Sequence, residues 1–76
     1  MQTKLRFIVY GELYVVDLNQ TMYFKADDHY THIYYSSGTH FMIPFGLSKV
    51  EDAIHEKQQF RKRFVRLGRT YIVNIG

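Results

Sequence analysis

Arg61, Lys62, Arg63, Arg66 and Arg69 stand within nine consecutive positions that hold no acid, and an alternating apolar segment, Tyr71 to Ile75, follows at once. Cations at this density, set beside a strand rather than spread along a tail, suit a phosphate backbone. Arginine brings a second chemistry, since its planar guanidinium makes two parallel hydrogen bonds to guanine O6 and N7. A charge run can also be a solvated surface that keeps a small domain soluble. The strand setting favours an anionic partner.

Other candidate chemistry is thinner. His29 and His32 lie near Asp27 and Asp28, but residues three apart in a strand face opposite ways, and two histidines without a third ligand make a poor metal site. Tyr30, Tyr34, Tyr35 and Tyr71 have faces on which unpaired bases could stack. Alternation sends about half of such residues into a core, so packing is their simpler role. There is no cysteine and no glycine-rich phosphate loop, and Ser36-Ser37 has the composition of a turn. Nothing indicates an enzyme, a metal or a cofactor.

These side chains must be positioned by a chain of only 76 residues with a net charge of +3, which is the size of one domain spanning residues 1–76. Without cysteine no disulfide or thiolate-bound metal can brace it. Seven Tyr and six Phe offer large buried areas and favour strands. Charge is unevenly placed: from Lys57 onward there are six bases and no acid, which steers an anionic partner to one part of the molecule. No apolar run approaches the roughly 20 residues of a membrane span, and the N-terminus lacks a signal-peptide core. The expectation is a soluble, cytoplasmic protein with no membrane partner.

The pattern predicts a predominantly β fold with one short α-helix. Strands are expected at Leu5 to Tyr10, Leu13 to Val16, Thr21 to Ala26, Tyr30 to Tyr35 and Thr39 to Ile43, with turns at Gly11-Glu12, Asp27-Asp28-His29 and Ser36-Ser37-Gly38. Pro44 ends the fifth ladder. Leu47, Val50, Ala53 and Ile54 then repeat with helical spacing. Gly46 as cap keeps Leu47 in that stripe, in competition with a Ser48–Glu51 capping box. The helix should end near Gln58, with acids in its first turns and Lys57 near its end complementing the dipole. Phe60 and Phe64 read as core residues. Short strands, Phe64 to Leu67 and Thr70 to Ile75, flank Gly68.

FRKRFVRLGRTYIVN, residues 60–74, resembles the signature of LytTR-type DNA-binding domains, an F-x-R-x-H-R-S-Y-x-V-N run after a short helix. Phe64, Arg66, Arg69, Tyr71, Val73 and Asn74 stand at matching positions, with Thr70 in place of Ser and Gly68 in place of His. Upstream, Tyr23-Phe24, Ala26-Asp27-Asp28, the strand from Tyr30, a Ser-Gly hairpin and FGLSKVEDAI follow in family order. The likeness covers roughly residues 12 to 75.

The resemblance implies a LytTR-like elongated antiparallel sheet assembly whose loops enter successive major grooves of double-stranded DNA, as in bacterial response regulators. Carried over residue by residue, His29 or Thr31 would approach a base edge from the first loop and Arg69 would do so from the second. Arg61, Lys62, Arg63 and Arg66 would hold phosphates, setting affinity without reading sequence. Two departures follow. The family continues past the point of Gly76 with further strands and a contact loop, so the last strand here would be an unpaired edge inviting a homodimer or a strand-exchanged oligomer. Gly68 loses the His side chain and would free the backbone before Arg69. Arg66 has a competing role, pairing with a helix acid, and Asn74 a structural one, tying the strand end to a loop. The alternatives to duplex reading are a LytTR-like interaction or dimerisation module and a single-strand binder using tyrosine faces.

Overall fold

The computed structural model describes residues 3–76. Half of them lie in seven strands, and one helix is present among the described residues. Strands β1 (Lys4–Val9) and β2 (Glu12–Asp17) form an antiparallel hairpin. Strands β3 (Thr21–Asp27), β4 (Tyr30–Tyr35), β5 (His40–Ile43), β6 (Phe64–Leu67) and β7 (Tyr71–Asn74) form an antiparallel sheet in the order β5-β4-β3-β7-β6, with helix α1 (Leu47–His55) between β5 and β6 in the chain. The expected class, mostly β with one short helix, is the class observed.

Turn chemistry explains the hairpins. Val9 faces Glu12, so the first turn is Tyr10-Gly11, one residue earlier than expected. Both residues have positive φ, 52° and 78°, as the mirror-image turns matching strand twist require. Asp27 faces Tyr30, leaving Asp28-His29 as the tip, with Asp28 at φ 56°, a conformation aspartate tolerates. A bulge between Thr21 and Tyr23 lets Thr21 and Phe24 both be buried although they are three apart.

Alternation then sorts the sheet into two faces. Phe24, Thr31, Ile33, Ile43, Phe64 and Ile72 are buried on the inner face. The β1–β2 hairpin covers the β4–β5 side of it: Phe7 packs on Phe45 with ring centroids 4.5 Å apart, and the Asp17 amide donates to the Tyr35 hydroxyl at 2.9 Å. Helix α1 covers the β3–β7 side with Leu47, Val50 and Ile54. Because hairpin and helix share one face, the described chain measures 31 × 28 × 24 Å; over these residues it is not elongated.

Gly46 caps the helix in an extended conformation without a side-chain bond. Leu47 therefore enters the core as expected, and no Ser48–Glu51 box forms. Three details differ from expectation. The helix stops at His55, its first turn holds no acid, and His55 rather than Lys57 is the base of its last turn. Beyond it, successive turn bonds (Lys57 to Ile54, Phe60 to Lys57, Arg63 to Phe60) draw Phe60 into the core at 1% exposure. Burying that ring outweighs another helical turn.

The expected unpaired last strand is also corrected. β7 lies inside the sheet, bonded to β3 and β6, because the helical crossover leads to β6 at the edge and the β6–β7 hairpin folds β7 in beside β3. The edges are β5 and β6, each only four residues long, and short edges limit strand addition.

Candidate nucleic-acid interface

Strand order brings two turns to one end of the sheet. Lys25 faces Tyr71, and the Ala26 amide donates to the Thr70 carbonyl at 2.7 Å, so the Asp28-His29 turn and the Gly68-Arg69-Thr70 turn are neighbours. Gly68 has φ 59°, where a side chain at Cβ is disfavoured. Arg66 Nε donates to the Gly68 carbonyl at 2.9 Å. Arg69 thus stands between two fixed carbonyls, while its own side chain is exposed and has no partner among the described residues. Gly68, where the sequence implies a freer backbone, has its carbonyl bonded to Arg66.

His29 is the most exposed polar group of the other turn, its side chain 91% accessible and 3.7 Å from an Asp28 oxygen. Thr31 is not available beside it, which corrects the expected base contact: it is fully buried and its hydroxyl donates to the Phe45 carbonyl at 2.8 Å. As the second residue of β4 it faces inward with Ile33. The considered His29–His32 pairing is not formed either. His32 Nε2 lies 3.0 Å from Asp27 Oδ2 and its Nδ1 2.8 Å from His40 Nε2. The Asp27 carboxylate accepts, so His32 Nε2 donates to it. This relay fixes the root of the turn. No group of three metal-ligating His, Cys, Asp or Glu occurs among the described residues.

The basic run that is continuous in sequence is divided in space. Arg61, Lys62 and Arg63 sit at the opposite end of β6 from Arg69. Lys62 is exposed and has no partner among the described residues, and Arg61 donates Nε to the His55 carbonyl at 3.0 Å, closing the helix end. The Arg63 guanidinium lies 4.7 Å over the Phe60 ring and reaches Asn19 Oδ1 at 3.4 Å, with Nε buried and without a partner. Arg66 points inward and is 3.0 Å from Glu51 Oε1, so the competing role read from the sequence, pairing with a helix acid, is the one observed.

Sequence reasoning passed over Lys25, which is exposed on the outer face, opposite Tyr71 and His32; its alternation with buried Phe24 was the available signal. Glu51, weighed in the sequence as half of a capping box, is the helix acid that Arg66 meets. Asn74 is structural, its amide donating to the Thr21 carbonyl at 2.9 Å.

The outer face carries a ring stack: Tyr34 lies 4.4 Å from Tyr23 and 4.3 Å from His40, nearly parallel to both. These rings occupy one another's faces. The described chain has no helix long and apolar enough to cross a membrane.

Comparison with known proteins agrees with this fold. The family of LytTr DNA-binding domains matches residues 11–76. No curated protein matches the chain. A solved LytTr DNA-binding domain from Bacillus cereus superposes with a TM-score of 0.64 at 19% identity, covering 99% of this chain. This chain spans 63% of that one. With the family match extending over nearly its whole length, the chain belongs to the LytTR family of DNA-binding domains.

Proposed function

We propose that this chain reads specific double-stranded DNA sequences in transcription regulation, with the Asp28-His29 and Gly68-Arg69-Thr70 turns entering a major groove. One observation carries the reading: Arg69 has an exposed, unpartnered guanidinium on a turn whose flanking carbonyls are both held. A guanidinium presented from a fixed backbone can meet guanine O6 and N7 with little ordering left to do. His29, on the adjoining turn, approaches the next base edge. Lys62 and the free end of Arg61 contact phosphate. They lie beyond the far end of four-residue β6, so the strand separates the phosphate-contacting side chains from the base-reading turn. Arg63 and Arg66, occupied within the fold, contribute at most long-range attraction.

The single-strand reading has less support: of its four tyrosines, Tyr34 is stacked between Tyr23 and His40 and Tyr35 packs on Phe41, leaving Tyr30 and Tyr71 exposed. A second reading, an interaction or dimerisation module, has one observation in favour. Val65, Leu67 and Tyr71 expose 37, 53 and 37% of their surface on the outer face of neighbouring β6 and β7, and grouped exposed apolar residues mark contact surfaces.

Fluorescence anisotropy against a duplex library at several salt concentrations separates the two. Duplex binding that weakens steeply with salt and still discriminates among sequences supports the DNA reader. Salt-insensitive self-association without duplex binding rejects it in favour of the module.

A further inference from the structure

Helix α1 is anchored in the core by Leu47, Val50 and Ile54, so the Glu51 carboxylate has a fixed place relative to the sheet. Its Oε1 accepts from Arg66 Nη1 at 3.0 Å, with 34% of the Glu51 side chain and 24% of the Arg66 side chain exposed. The same guanidinium donates through Nε to the Gly68 carbonyl at 2.9 Å. A guanidinium is planar and rigid, so two bonds made by one group fix the separation and angle of what they join. Here they join the helix to the turn.

That turn needs such a link. β6 is an edge strand with β7 as its one neighbour in the sheet, so nothing on its outer side restrains the chain as it leaves Leu67. The Thr70 flank is tied to Ala26, but the Gly68 flank depends on Arg66. Glycine at φ 59° adds freedom that some other contact must remove.

We infer that Glu51 is a positioning residue for base reading: by holding Arg66 it sets the Gly68 peptide, and thereby the direction in which Arg69 leaves the turn. The inference rests on the reading of Arg69 as the base contact. It has a signature that ordinary destabilisation lacks. Glu51 draws Arg66 away from phosphate, so its removal holds or raises affinity for scrambled duplexes while lowering the preference for the selected one.

The test compares the unaltered chain with Glu51→Ala, Glu51→Gln, Arg69→Ala and the Glu51→Ala/Arg69→Ala double variant. Anisotropy is read on a duplex selected by the unaltered chain from a random library and on a scrambled duplex of equal composition. Glu51→Ala should lower the selected-to-scrambled affinity ratio about threefold to tenfold, with no added effect once Arg69 is gone. Scrambled-duplex affinity should hold or rise. Glu51→Gln keeps an acceptor for Arg66 and should retain most of the ratio while losing the same charge, which also guards against a misfolded alanine variant. An unchanged ratio in Glu51→Ala, where Arg69→Ala abolishes it, overturns the inference but leaves the DNA reading standing. An unchanged ratio in Arg69→Ala overturns both. Solvent exchange of the Arg66 Nε proton, which is bonded to the Gly68 carbonyl, gives a readout without DNA: it should quicken about tenfold in Glu51→Ala and less in Glu51→Gln. Unaltered exchange rejects the strut even where no duplex binds.

Discussion

The Ala26 amide donates to the Thr70 carbonyl at 2.7 Å, joining the root of the His29 turn to the flank of Arg69. Two turns from distant parts of the sequence thereby become one presenting edge. The bond extends the β3–β7 ladder one step past Lys25 and Tyr71, so the site is a continuation of the sheet rather than a pair of loose loops.

From that edge Arg69 is expected to carry discrimination. Arg69→Ala should cost about 1–3 kcal/mol between the preferred and a mismatched duplex, while the salt slope falls by no more than about one. Competition anisotropy measures both; a ratio that survives the substitution removes Arg69 from base reading.

At the far end of β6, Lys62 and Arg61 should act on phosphate. Replacing both with alanine weakens all duplexes alike and reduces the salt slope by about two. Arg63→Ala should leave the slope nearly intact, because its guanidinium is occupied over Phe60 and at Asn19. A salt titration in which Arg63→Ala, and not the double variant, changes the slope would reverse this assignment.

Thr31 should prove structural. Thr31→Val keeps the shape but leaves the Phe45 carbonyl without its buried donor, a loss of about 1–3 kcal/mol in urea unfolding. Duplex selectivity of the remaining folded protein should match that of the unaltered chain; a selectivity change without a stability change would return Thr31 to the interface.

Gly68→Ala isolates backbone conformation from crowding. A Cβ there meets nothing within 4 Å, so the expected penalty of about 1–2 kcal/mol arises from φ 59° alone. Urea unfolding gives the penalty. Unchanged stability would mean that the turn relaxes at no cost, which would contradict the clamp on the Gly68 carbonyl.

Much of this was legible in the residues because it is local. Alternation in Phe24–Ala26, Thr31–Ile33 and Tyr71–Ile72 identifies the strands, and Leu47, Val50 and Ile54 announce the helix and its buried stripe. The run from Phe64 to Asn74 carries the family likeness, which the match over residues 11–76 bears out. Periodicity depends on neighbours along the chain, so it can be read there.

Sequence alone therefore settled that this is a β-rich domain with one helix, and which residues share a face within each strand. It could not say which face would be covered or what each polar group would meet. Only the tertiary structure decided that Thr31 is buried against Phe45, that Arg66 is held by Glu51, that β7 lies inside the sheet, and that Arg61, Lys62 and Arg63 end up across β6 from Arg69. Each of these depends on strand order and on the helical crossover. A hydrogen bond between distant residues leaves no periodic trace, since its geometry exists only once the intervening chain has been packed.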